Sequence, residues 1–176
     1  LKEETAYQID AGINYQTAGF AIAPHIFYQR IDDYIQGSPL TMADMSAQMM
    51  AQMMANDDNP LKFTNVDAKL YGMDVNWRYQ LSDEFSLSGV ASYVQGQRRD
   101  IDDNLYRVSP LNGHIKLSYS GENWLVNTTL VAAARQDDVA SVNDEQKTAG
   151  HGIVNIDLQY FISSGLTLRA GVDNLF

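Results

Sequence analysis

Hydrophobicity in this chain alternates with period two over most of its length, and that constrains the fold more than any other feature. Tyr7, Ile9, Ala11, Ile13 and Tyr15 share one parity, and Gln8, Asp10, Gly12 and Asn14 share the other. The pattern returns in segments around 20–29, 71–80, 85–93, 111–119, 124–134, 154–162 and 166–172. Alternation of this kind puts one side of a strand against an apolar phase and the other against a polar one. Eight long strands follow. The connections alternate too: short turns near 17–19, 82–84, 120–123 and 163–165, and long loops near 36–63, 96–110 and 136–150. Short turns suit antiparallel hairpins. Their strict alternation with long loops gathers all turns at one end of the sheet and all loops at the other, as in a transmembrane β-barrel.

Other classes are excluded on simple grounds. The longest apolar run, 130–134, is far short of the roughly 20 residues a spanning helix needs. There is no cysteine, hence no disulfide framework and no thiolate metal site. The net charge of −10 argues against a nucleic-acid partner, which would need a basic face. No basic n-region and apolar h-region opens the sequence, so no signal peptide is expected.

Two features choose between an apolar face turned to lipid and one turned to a soluble core. The apolar stripes carry no charge, whereas the opposite parity carries Asp10, Asp74, Arg78, Lys116, Asp157 and Arg169. More decisive are the aromatics. Tyr15, Phe20, Tyr79, Phe85, Tyr119, Trp124 and Tyr160 lie on the apolar parity beside the short turns, and Tyr7, Tyr28, Tyr71 and Tyr93 lie eight residues further along their strands. Eight residues make about 26 Å of strand, or roughly 20 Å of height at a 40° tilt, close to the apolar band of such barrels. Amphipathic rings prefer the two headgroup levels. Lipid then requires a closed sheet, because every backbone polar group needs a partner. The inward parity holds many small polar residues, among them Gly12, Ser86, Ser88, Ser92 and Ser118, which suits a wide lumen. Phe27, Val90, Val94, Leu125, Val131 and Ile153 interrupt it.

The end of the chain, LTLRAGVDNLF (166–176), resembles the Asn-Leu-Phe stretch of TonB-dependent outer-membrane receptors. IDDYIQG (31–37), NVDAKLYGMDVNW (65–77) and RRDIDDNLYRVSPLNG (98–113) are similar to neighbouring barrel segments of that family. The resemblance covers essentially the whole chain. It implies an all-β, antiparallel transmembrane barrel, with residues 1–176 supplying about eight strands of a 22-stranded wall. It also implies a plug domain, contact with the TonB complex through that plug, outer-membrane lipid around the barrel, and import of a scarce metal or metal chelate such as a ferric siderophore or copper. The expected location is the outer membrane of a Gram-negative bacterium. The plug and final strand are expected to lie outside this chain. Alternatives are a small complete barrel ending at Phe176, with a structural or adhesive role, and a soluble ligand-binding barrel.

Several residue groups are candidates for chemistry. Six of the seven methionines (Met42, Met45, Met49, Met50, Met53 and Met54) fall in the first long loop, at spacings that cover about half of a helix. Thr41 or Ser38 would cap that helix, and 56–60 would end it. Thioethers suit Cu(I), giving a copper-capturing lid; the alternative is a Met face that packs on the barrel rim. Asp57, Asp58 and Asn59 offer oxygen ligands, although a solvated turn explains them as well. Arg98 and Arg99 in the second loop could grip an anionic ligand, or pair with Asp100, Asp102 or Asp103. His25, Arg78, His114, Lys116 and Arg169 face the lumen, as does His151. No nucleophile motif is present, and the histidines face inward, so neither enzymatic activity nor a resident cofactor is expected.

Overall fold

The computed structural model describes residues 1–55 and 60–175. Asp57, Asp58, Asn59 and Phe176, and the expected helix stop at 56–59, lie outside the described residues. Strands β1 (Thr5–Gly12), β2 (Tyr15–Gln16), β3 (Phe20–Pro39), β4 (Leu61–Gln80), β5 (Phe85–Arg98), β6 (Asn112–Ser120), β7 (Trp124–Ala133), β8 (His151–Ser163) and β9 (Leu166–Val172) form one antiparallel sheet. Each strand pairs with the next in the order β1-β3-β4-β5-β6-β7-β8-β9, and β2 joins β3 beside β1. The sheet is open, with β1 and β9 at its edges. Among the described residues no helix is long and apolar enough to cross a membrane.

The first expected strand is broken in two, and Pro24 explains why. β1 and β2 both run along β3, with a gap at Ile13 and Asn14 opposite Pro24 and Ala23. Proline has no N–H to donate, so the ladder cannot continue there. Its carbonyl still accepts from the Ile13 N–H at 3.0 Å.

The register confirms the two-faced reading. Tyr28–Tyr71, Ile26–Met73, Pro24–Val75, Ile22–Trp77 and Phe20–Tyr79 face one another across β3 and β4. The same face continues through Leu87–Leu117, Ile115–Leu130, Leu130–Val154 and Leu158–Ala170. The turn-end aromatics meet as ring pairs: Tyr15–Phe20 at 6.4 Å, Phe20–Tyr79 at 6.3 Å, Phe85–Tyr119 at 4.9 Å and Trp124–Tyr160 at 4.3 Å. Large apolar side chains along this face, such as Ile9, Ile26, Ile115 and Leu130, are exposed. A water-soluble sheet would bury them; a membrane wall need not.

The loop end departs from expectation. The first long connection spans 40–60 rather than 36–63, because β3 and β4 each run for 20 residues. A bulge between Ile31 and Tyr34, with Asp33 at φ 59°, marks where the strands leave the apolar band. Beyond it the hydrogen-bond ladder continues without a hydrocarbon phase to enforce alternation, so period two fades although the strand does not. β5 likewise continues to Arg98.

Candidate functional site

The buried core of the segment lies at the loop end, not in the middle of the sheet. Ile31, Val66 and Ala68 form the wall, and Leu105, 1% exposed, drops onto them from residues 99–111. Tyr34, Leu70 and Val108 complete the cluster. Gly96 makes room for the inserted loop: a Cβ there would stand 2.8 Å from Val108 Cγ2 and 3.0 Å from Leu105 Cδ1.

Residues 99–111 and 134–150 are tied together by exchanged caps. The Asp103 carboxylate accepts from the backbone N–H of Ser141 at 2.8 Å and of Val142 at 2.9 Å. In return, Glu145 accepts from the Arg107 N–H at 3.1 Å while also holding the Ala140 N–H at 2.8 Å. Asn104 donates to the Val139 carbonyl, and the Gln136 side chain donates to that of Val108. Asn143 reaches the Gly37 carbonyl on β3 at 2.8 Å. Partial burial pushes the Asp103 carboxyl up, but the N–H groups of Val142, Ser141 and Asn104 outweigh it and hold it below the usual carboxylate range. The two loops therefore form one fixed platform on the lumen side of β3–β5.

The methionine loop is built differently. A 3₁₀ turn (Met42–Asp44) leads into α1 (Met45–Ala55). Of the two expected caps, Thr41 takes the position: Asp44 accepts from its N–H at 3.0 Å and from its hydroxyl at 2.8 Å. Lys62 on β4 also donates to Asp44 and, with Thr41, lowers its pKa to about 2. The six methionines are 54–90% exposed, and among the described residues α1 packs on no strand.

The other candidates are dispersed. Arg98 pairs with Asp100, and Arg99 donates to Asp32 at 2.7 Å. The carboxyls of Asp32 and Asp100 are lowered chiefly by those hydrogen bonds. His25 stands between two carboxylates, with Nδ1 3.2 Å from Asp74 and Nε2 3.4 Å from Asp10, an arrangement that only the three-strand register reveals. Arg78 lies opposite Ala21 and Ser88, Lys116 opposite Ser88 and Thr129, Arg169 opposite Gln159, and His114 opposite Val90 and Val131. His151 shares a register row with His25 but lies five strands away, so the three histidines are not brought together. Among the described residues no group of three or more His, Asp or Glu is placed to hold a metal ion. A depression of about 420 Å³ is bordered by Trp77, Ala91, Leu111, Ile115 and Leu130. These lie on the apolar face, away from any aqueous ligand path.

An open antiparallel wall, apolar and ringed by aromatics on one face, polar on the other and crowned by ordered loops, defines the class: a segment of a membrane β-barrel. Residues 1–175 match the family model of the TonB dependent receptor-like β-barrel, and the chain belongs to that family. No curated protein matches the chain. Among solved structures, a copper transporter, OprC, is 25% identical with a TM-score of 0.84 over 99% of this chain and 25% of its own. The siderophore receptor PirA from Pseudomonas aeruginosa is 19% identical (TM-score 0.69, 100% and 27% covered). The ferric yersiniabactin receptor FyuA from Yersinia pestis is 10% identical (TM-score 0.70, 98% and 25% covered). The chain spans about a quarter of the length of these proteins.

Proposed function

We propose that this chain is the C-terminal barrel portion of an outer-membrane TonB-dependent transporter whose cargo is copper. The rest of the 22-stranded wall and the plug that engages the TonB complex would complete the protein. The observation that carries the cargo is the exposed methionine array. Six thioethers at spacings of three, four and one, Met42 in the 3₁₀ turn and the other five on α1, stand exposed at the loop end of the barrel. Burying methionines in a core would stabilise the fold; leaving six in water contributes little to it. What the array can do is offer soft sulfur ligands, which favour Cu(I) over hard cations. The copper transporter that shares the fold at 25% identity agrees with this reading.

A ferric-siderophore cargo is less well supported. Arg98 and Arg99, which would grip an anionic chelate, are already committed to Asp100 and Asp32. The siderophore receptors of 10–19% identity share the fold alone. The test is to replace all six loop methionines with leucine in the intact receptor. Copper uptake should fall to the level of a receptor-null strain while the protein still reaches the outer membrane. Copper-dependent growth unchanged by the substitution removes copper as the cargo of this loop.

A further inference from the structure

Six of the seven methionines lie between Met42 and Met54, on the 3₁₀ turn and α1, and all six are exposed. The seventh, Met73, sits on β4 opposite Ile26 and Tyr93, on the outer apolar face. The two settings differ in what reaches the sulfur. Oxidation of a thioether follows its exposure to dissolved oxidant. Hydrocarbon around Met73 keeps water-borne peroxide out, whereas the loop stands at the aqueous end of the wall. The chain has no cysteine, so no thiol of its own competes for the oxidant.

The anchor that holds these sulfurs contains none. Asp44 accepts from the N–H and hydroxyl of Thr41 and from Lys62 on β4, which fixes the start of the helix. Among the described residues α1 packs on no strand. Methionine oxidation ordinarily disrupts a protein by putting a polar sulfoxide where an apolar chain was packed. Here that cost is small, because the six side chains already stand in water. What changes is the donor. Sulfoxide formation uses a sulfur lone pair and presents an oxygen, a hard donor, whereas Cu(I) selects soft thioethers. The modification therefore removes ligands and leaves their frame.

We propose that the methionine array is a reversible oxidation site, which peroxide converts to sulfoxides and so switches Cu(I) capture off; this rests on the reading of copper as the cargo. In the forward step a thioether sulfur attacks one oxygen of hydrogen peroxide. The O–O bond breaks as the S–O bond forms, and the displaced hydroxide takes the proton of the transferred oxygen and leaves as water. Each sulfur gives up two electrons, and the peroxide is reduced by two. In the return step a dithiol reductase removes the oxygen: the S–O bond breaks, the two thiols close to a disulfide, and the oxygen leaves as water. Met45, Met49 and Met53 follow at intervals of four, so successive thioethers stand on one side of α1. Where two of them hold one ion, oxidising either opens the site.

The experiment treats the intact receptor, purified from outer membranes in non-ionic detergent, with hydrogen peroxide. Peptide mass spectrometry follows oxygen uptake at each methionine. Met42, Met45, Met49, Met50, Met53 and Met54 should be oxidised first, with Met73 spared beneath the detergent. Once peroxide and air are removed, Cu(I) binding is read by competition with a chromophoric chelator. It should be roughly tenfold or more weaker, while the heat-modifiable barrel band stays. Methionine sulfoxide reductases A and B with dithiothreitol should restore it; both are needed because each acts on one sulfoxide epimer. A receptor with the six methionines replaced by leucine should show no such response to peroxide. Cu(I) binding unchanged once the six carry oxygen overturns the switch and leaves copper as the cargo. Loss of the barrel band on oxidation also overturns it, since the effect would then be unfolding. So does oxidation of Met73 at the rate of the loop, or an equal response in the six-leucine variant. Untreated wild type that binds Cu(I) no better than that variant overturns the copper reading, and the switch with it.

Discussion

Asp103 is the residue on which the loop platform turns. One carboxylate satisfies the two N–H groups that open the short 3₁₀ turn Ser141–Asn143, a cap supplied across 38 residues of sequence. Asp103→Asn halves the acceptor capacity and removes the charge. We expect a loss of roughly 1–2 kcal/mol of local stability, seen as faster hydrogen exchange at Ser141 and Val142 with the strands unchanged. The folded-state pKa of Asp103 lies below its ordinary value. Its contribution is therefore complete above the ordinary carboxylate range and is lost as pH falls through the lowered value. Protection at these two amides should hold at neutral pH and fall below about pH 4, and the Asn variant should lack that dependence.

Gly113 is the complementary case, a residue defined by what cannot be there. A Cβ at this position would lie 2.2 Å from the Val90 carbonyl oxygen, a backbone atom that cannot swing aside. Gly113→Ala must therefore part β5 from β6 locally, at a cost of roughly 1–3 kcal/mol. In the intact receptor this should appear as a lower unfolding temperature of the heat-modifiable barrel band, without loss of the loop platform's exchange protection.

At the scale of elements, the strands inside the apolar band were readable from sequence and those outside it were not. Between the aromatic belts hydrocarbon keeps the outer parity apolar, so the alternation of Tyr71 to Tyr79 announces itself, and Trp124 to Ala132 shows through despite Leu125 and Val131 on the inner parity. Above the bulge at Ile31 and Tyr34 the ladder persists with no such selection, and β3 and β4 run on unseen. The Thr41 cap was legible because its chemistry is local. The Asp103 and Glu145 caps, the Asp10–His25–Asp74 group and the insertion of Leu105 were not, because each joins residues that only the register or a folded loop brings together. The face assignment gives its own prediction. Ile115 lies midway along the apolar stripe of β6, and its neighbour Lys116 already carries a cation on the other face. Ile115→Arg should cost about 2–4 kcal/mol and abolish barrel assembly, whereas Thr129→Lys, opposite Lys116 on the lumen side, should still assemble. Equal assembly of both variants would invert the faces.

For the whole molecule the governing fact is that the wall is not closed. β1 presents Thr5–Gly12 and β9 presents Leu166–Val172 as edges without a further strand among the described residues. In lipid each unpaired N–H or C=O costs several kcal/mol, and two strands of edge carry too many for insertion to be favourable. In water the same segment exposes a broad apolar face along its full height, with Ile9, Ile26, Ile115, Leu130 and Leu168 uncovered. Neither phase suits it alone, so its stability depends on strands that close the ring. We expect residues 1–176, expressed by themselves with an export signal, to fail to give a heat-modifiable band and to be recovered as aggregates. The same residues within the intact receptor should give a band that resists denaturation until heated. A protease-resistant, detergent-soluble species from the segment alone would mean that β1 and β9 can satisfy each other. The lumen would then shrink to one filled by side chains, leaving no space for a plug and no path for an imported metal.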